Sequence, residues 1–126
     1  MDENKLIYKE DAYKIIGLCM EVHRELGHGF LEIVYKDALE LLFRRNDIPY
    51  TREKEYAILF KNVILPHKFY ADFVVYDKII LEIKAAVGIA DDHIAQTLNY
   101  LKVSGNKLAL LVNFGRMQLE YKRLVF

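Results

Sequence analysis

Asp72 stands ten positions before Glu82 in the run Glu82-Ile83-Lys84, and no other side chains in the chain are better suited to chemistry. Two carboxylates supply hard oxygen ligands for a divalent cation. An ammonium beside them offsets the negative charge that develops when a phosphodiester is attacked. The set is useful only if the three side chains meet. Glu-x-Lys also occurs in ordinary exposed strands, so the elements that carry it must decide.

From Lys68 to Lys84 two alternating apolar runs flank a polar break at Asp77-Lys78, the pattern of a β-hairpin. Ala71, Phe73 and Val75 are expected on one face of the first strand, and Ile79, Leu81 and Ile83 on one face of the second. Paired residues in a hairpin point to the same side, so the apolar sets share a face if 75 pairs with 79 and 73 with 81. That register sets Asp72 opposite Glu82 and brings Lys84 to the same side. It calls for a three-residue loop or a bulged turn, and Asp-Lys lacks the glycine that a tight primed turn favours. The competing reading is a solvated outer face, as in most antiparallel sheets.

The elements around the hairpin follow from periodicity. A first amphipathic helix is expected over Asp11–Leu26, with Ala12, Ile15, Ile16, Cys19, Val22 and Leu26 along its stripe. Gly27-His28-Gly29 breaks it, and a second helix runs from about Phe30 to Arg45. Strands are expected near Lys54–Phe60, Val63–Pro66, Lys68–Val75 and Ile79–Lys84, with a turn at Lys61-Asn62. A third helix covers about Ala90–Val103 and ends at Ser104-Gly105, where glycine suits a C-cap. Leu108–Val112 reads as a central strand and Met117–Phe126 as a final one. Helices before and inside a mixed sheet indicate an α/β or α+β sandwich.

Two helices carry polar residues that the core does not explain. Glu32 projects toward the Leu39–Phe43 stripe beside Tyr35, where a carboxylate is costly to bury unless paired or metal-bound. Its position in the first helical turn offers another reason, since the helix dipole favours an anion there. On the third helix, Ala90, Ile94, Leu98 and Leu101 form the expected buried stripe, with His93, Gln96 and Tyr100 on an adjacent seam. Gln96 and Tyr100 are four apart and therefore neighbours.

Composition narrows the partners. The 126 residues suit a single domain over 1–126, and 18 Lys plus Arg balance 18 Asp plus Glu. No global positive field draws nucleic acid to it, though a local groove remains open. One cysteine, Cys19, excludes an internal disulfide and fits a reducing cytoplasm. No apolar run approaches the ~20 residues of a membrane helix, and none reads as a signal peptide. His23 reads as a core histidine, His28 with Gly29 as shaping the start of the second helix, and His67 as a turn residue. Lys102, Lys107, Arg116, Lys122 and Arg123 form a basic rim or, as favoured, a solvated end.

Over nearly its whole length the sequence resembles the GxxExxY proteins, of the PD-(D/E)XK nuclease-like superfamily. Gly29-Phe30-Leu31-Glu32-Ile33-Val34-Tyr35 fits their signature, after the lead-in Val22-His23-Arg24-Glu25-Leu26-Gly27. Ala71-Asp72, Glu82-Ile83-Lys84, Gln96 through Tyr100 and Leu111-Val112-Asn113-Phe114-Gly115 follow in order. His28 stands where proline is common, and Ala109-Leu110 replaces a usual glycine-leucine. The resemblance implies a restriction-endonuclease-like core, a mixed sheet flanked by helices. It implies Mg²⁺ or Mn²⁺ held by Asp72 and Glu82 with the Ile83 carbonyl, and Glu32 joining directly or through water. Lys84 would position the attacking water, and Gln96 and Tyr100 would contact substrate as a Gln-x-x-x-Tyr motif. The implied activity is metal-dependent nuclease action on DNA in preference to RNA. The alternative is a catalytically idle nuclease-fold module that binds nucleic acid or a protein. Without a recognition domain, a grip on duplex calls for a homodimer or a protein partner.

Overall fold

The computed structural model describes residues 7–126; residues 1–6 of the expected domain lie outside it. Helix α1 (Lys9–Leu26) and helix α2 (Glu32–Arg45) come first. Then follow β1 (Tyr50–Tyr56), the short β2 (Leu59–Phe60) and β3 (Val63–Ile64), and β4 (Phe69–Val75) with β5 (Ile79–Lys84). Helix α3 (Asp91–Ser104) leads into β6 (Leu108–Asn113) and β7 (Glu120–Val125). Five strands form one mixed sheet in the order β1-β4-β5-β6-β7, parallel between β5 and β6 and antiparallel elsewhere. The α+β architecture is the expected one. The parallel pair requires a crossover, which α3 supplies.

The two faces of the sheet bury different helices. Ile15, Cys19 and Val22 of α1 pack with Tyr35, Leu39 and Phe43 of α2 against Phe73, Val75, Leu81, Ile83 and Leu110. On the opposite face Leu101 of α3 packs with Ala71, Val74, Ile80 and Ala109. Strands β5 and β6 are buried on both faces, which is why Leu108–Val112 reads as an unbroken apolar run and Glu82 is the one polar side chain buried in β5.

The hairpin register is the expected one, with Val75 paired to Ile79 and Phe73 to Leu81. The connection is the three-residue stretch Tyr76-Asp77-Lys78, closed by a Lys78 N–H···O=C Val75 bond of 3.2 Å. Tyr76 and Asp77 both take positive φ (56° and 58°), the geometry of a primed turn achieved without glycine.

Three expectations are corrected. The strand placed at Lys54–Phe60 begins at Tyr50, ends at Tyr56, and gives way to a separate two-stranded ribbon turned by Lys61 and Asn62 at positive φ. The buried stripe of α3 centres on Thr97 and Leu101, while Ala90 is exposed at the N-cap. Thr97 is concealed without penalty because its hydroxyl donates to the His93 carbonyl at 2.8 Å. Ala71 does not share a face with Phe73 and Val75: it packs on the α3 side, they on the α1–α2 side. The reason lies across the ladder. Arg52 pairs with Phe73 and Lys54 with Ala71, but Glu53, between them, has φ of 54° and forms no ladder pair with Asp72. Both strands therefore turn over at this point. Arg52 lies over the Phe73 ring on one side, and Tyr56 stacks on Phe69 on the other.

Candidate active site

Asp72 occupies the point where β4 turns over, and the interruption of the ladder is what frees its backbone neighbours to bond with side chains. The Ile83 N–H donates to Asp72 Oδ2 at 2.8 Å, so the carboxylate replaces a strand carbonyl. The Asp72 N–H in turn points to Glu82 Oε1 at 3.4 Å. The two carboxylates thus lie side by side on adjacent strands through these side-chain bonds, although the β4–β5 ladder itself ends at Phe73–Leu81 and does not pair Asp72 with Glu82. Glu82 is 3% exposed. Burial, then the charge of Asp72 and a hydrogen bond with it, push the Glu82 carboxyl far above the ordinary carboxylate range, although Lys84 opposes this.

Lys84 is half-buried at the end of β5, and its ammonium lies 3.5 Å from Gln96 Oε1 on α3. One turn later Tyr100 stacks on Phe69, rings 4.2 Å apart and 6° from parallel, and Phe69 stacks on Tyr56. Burial, then the charges of Glu82 and Asp72, raise the Tyr100 hydroxyl pKa. Gln96 and Tyr100 therefore border the carboxylate pair, Gln96 exposed and Tyr100 half-buried. His93 of the same seam is engaged elsewhere, since its Nδ1 accepts the Ala90 N–H at 3.1 Å and closes the start of α3.

Glu32 is placed otherwise than its stripe suggested. It is the first residue of α2, exposed, and makes no hydrogen bond or ion pair among the described residues. Burial on α2 begins only at Tyr35 and Lys36, one turn into the helix. Tyr35 holds the approach: its hydroxyl donates to the Gly27 carbonyl at 2.7 Å and accepts the Phe30 N–H at 3.2 Å. Gly29, at φ of 110°, lets the chain make that bend, and the Tyr35 ring stacks on Phe114 at 4.6 Å. The glycines and tyrosine of this motif build a clamp, and His28 is merely exposed beside it.

The helical residue that reaches the carboxylates is Lys36. Its ammonium lies 3.0 Å from Asp72 Oδ1 and also pairs with Glu53 on β1. Burial opposes its charge, but hydrogen bonds to Glu53 and Asp72 outweigh that and raise its pKa. The available signal was its seven-residue spacing from Phe43, which sets it on the buried stripe of α2. Asn113, also missed, is fully buried and accepts the Ala86 and Gly115 N–H groups at 2.9 and 3.1 Å. Its amide donates to the Ala86 carbonyl and to Glu120. A Cβ on Gly115 would lie 2.1 Å from the Ala86 carbonyl oxygen, so only glycine fits. This brace holds the loop that leaves Lys84.

The remaining candidates are structural. His23 Nε2 donates to the Arg116 carbonyl, 2.8 Å away, and the ring sits against Phe114. Cys19 is buried, which pushes its thiol pKa up and leaves it unreactive. Of the basic end, Lys102, Lys107, Arg116 and Lys122 are exposed, whereas Arg123 is half-buried and donates to the Ile7 carbonyl.

A strand pair carrying Asp and Glu-x-Lys, flanked by α2 and α3, agrees with what comparison of the sequence finds. Residues 9–124 match the family model of the PD-(D/E)XK nuclease superfamily. The chain belongs to that superfamily. Its fold is also that of a solved relative, the crystal structure of SSO0001, at a TM-score of 0.58 and 20% identity. The match covers 73% of this chain and 48% of that one, so this chain spans about half the length of the solved protein. No protein of curated function matches.

The donor set bears on the ion that such nucleases use. Mg²⁺ is commonly held by one or two carboxylates, with water and substrate phosphate completing its shell. Asp72 and Glu82 provide that number of hard oxygens, and the raised Glu82 carboxyl marks a place where a cation is favoured. The residues fit. Among the described residues no three His, Cys, Asp or Glu side chains form a metal-holding group, so the fit rests on the pair.

Proposed function

We propose that this chain is a Mg²⁺- or Mn²⁺-dependent nuclease that hydrolyses phosphodiester bonds, with DNA as its substrate in preference to RNA. The reading is carried by the pairing of half-buried Asp72 with buried Glu82 through the Ile83 and Asp72 N–H groups, with Lys84 two residues beyond Glu82 on the same strand. Asp72 and Glu82 would hold the ion, the Ile83 carbonyl adding an oxygen and Glu32 reaching it through water from the start of α2. Such an ion, when bound, polarises a phosphoryl oxygen and makes bound water a nucleophile near neutral pH. Lys84 orients that water by hydrogen bonding and opposes the negative charge that gathers on the phosphoryl oxygens. Gln96 holds the Lys84 ammonium toward the site or contacts substrate, and Tyr100 closes the far side.

Equal numbers of acidic and basic residues mean that attraction of the polyanion is local, which favours a homodimer or partner protein in duplex binding. Among the described residues no helix is long and apolar enough to cross a membrane, and one buried cysteine suits a reducing cytoplasm. A second reading, an idle nuclease-fold module that binds nucleic acid or protein, is favoured by one observation: Glu32 is exposed and joins no acidic cluster among the described residues.

Digestion of linear, circular and single-stranded DNA with Mg²⁺ or Mn²⁺ separates the two. Cleavage that disappears in Asp72→Ala and Lys84→Ala proteins supports the enzyme. Equal residual cleavage in both variants points to a contaminant and leaves the binding module.

A further inference from the structure

The site contains one cation too many for a simple lysine-assisted metal centre. Lys84 lies on the Gln96 side, but Lys36 comes from α2 and sits directly on Asp72. Its side chain is 10% exposed, whereas the Glu53 side chain it also pairs with is 48% exposed. Lysine is rarely buried this far unless it is paired, and both of its partners here are carboxylates. Both Asp72 oxygens are engaged as a result: Oδ2 accepts the Ile83 N–H and Oδ1 accepts from Lys36. A divalent ion approaching Asp72 meets an oxygen that already holds a positive charge.

We propose that Lys36 is an exchangeable counter-cation of the site. It neutralises Asp72 when no divalent ion is present and gives up Oδ1 when one binds. The proposal rests on the metal-dependent reading above and adds a residue to it. Lys36 is a positioning residue, since it acts through Asp72 and does not touch the reacting atoms. Glu53 gives it somewhere to go. The ammonium can move off Asp72 and remain paired with Glu53 near the surface, so ion binding does not strand a buried charge. The left-handed backbone at Glu53 serves this arrangement, because it takes the residue out of the ladder opposite Asp72. Removing the ammonium leaves the Asp72 carboxylate with no cation in contact, a position that a divalent ion fills better than water does.

A purely structural Lys36 and an exchangeable one give opposite results for ion affinity. The test uses the whole chain as wild type, Lys36→Met, Lys36→Arg, Asp72→Asn and the double variant Lys36→Met with Asp72→Asn. Melting is followed in EDTA and in Mn²⁺, and Mn²⁺ affinity is measured by calorimetry. Lys36→Met is expected to melt lower than wild type in EDTA, by roughly 5 °C or more. It is expected to bind Mn²⁺ about tenfold more tightly, and to regain more in melting temperature on Mn²⁺ addition than wild type does. Lys36→Arg should behave as wild type in EDTA. The double variant should melt close to Asp72→Asn alone, since Lys36 loses its purpose once Asp72 is neutral.

Mn²⁺ bound by wild type but more weakly, or equally, by Lys36→Met overturns the proposal and leaves the nuclease reading intact. Mn²⁺ bound by no variant, at the protein concentrations used, sinks the metal-dependent reading and the exchange with it. In that case coupling between positions 36 and 72 identifies an ordinary buried ion pair. Additive effects of the two substitutions overturn the proposal on their own.

Discussion

Lys36 and Lys84 flank the Asp72–Glu82 pair from helix α2 and from strand β5, and they are held in different ways. Lys36 is buried and gripped by Asp72 and Glu53. Lys84 is half-buried, with a long 3.5 Å contact to a neutral amide. A gripped ammonium is spent on neutralising the protein. A loosely held one retains hydrogen-bonding capacity for a ligand. On the proposed reading one site separates charge balance from chemistry: the helix supplies the first and the strand the second.

The largest expected effect comes from exchanging the two losses. On the proposed reading, Lys84→Ala lowers single-turnover cleavage by about 10²- to 10³-fold, as loss of one transition-state charge contact does elsewhere, with melting unchanged. Lys36→Met lowers melting in EDTA and keeps cleavage within an order of magnitude of wild type at saturating Mn²⁺. If Lys36→Met abolishes cleavage and Lys84→Ala only destabilises, the comparison is reversed.

A second experiment probes what positions Lys84. Gly115→Ala drives a methyl group into the Ala86 carbonyl, a contact of 2.1 Å that backbone must relieve. A loss of roughly 2–3 kcal/mol in urea unfolding is expected, of the size that overpacking costs in a rigid interior. A loss under about 0.5 kcal/mol would mean that the brace gives way easily and does not fix Lys84.

The third effect concerns pH. Burial raises Glu82 from an ordinary 4.5 to about 9, so in the absence of metal the folded state holds a proton that the unfolded chain releases. The stability this group contributes is fully present below about 4.5 and is lost as pH rises toward about 9. Urea unfolding in EDTA should therefore weaken over that interval for wild type and much less for Glu82→Gln. An identical slope in both proteins would place the titration elsewhere. Divalent ion binding expels the same proton, so Mn²⁺ affinity should rise with pH across the same range.

The smallest effect is expected at Glu32. Its exposed position predicts that Glu32→Gln changes stability by less than about 0.5 kcal/mol, measured by urea unfolding. A larger change would reveal a partner for Glu32.

Much of this arrangement is legible in the sequence. The alternation around Asp77-Lys78 specifies the 75–79 and 73–81 pairs, because a one-residue slip would bury Asp72 among apolar neighbours. The unbroken apolar run at 108–112 announces a strand covered on both faces. Less legible is the turning over of β1 and β4, since Glu53 takes a left-handed conformation that no residue type announces. Glu32 and Lys36 show a different limit. They share a helical stripe, and periodicity cannot say at which turn the sheet beneath it ends. Glu32 is exposed and Lys36, one turn on, is buried. Asn113 and Gly115 were visible as a motif, but their purpose depends on a loop brought back from Ala86, a contact between residues 27 apart for Asn113.

The most direct test of the account is where a bound ion sits. Crystals grown with Mn²⁺ should show its anomalous signal between the Asp72 and Glu82 carboxylates, with the Lys36 ammonium moved off Asp72 Oδ1 toward Glu53. An ion bound away from that pair, or none at a saturating concentration, would contradict it.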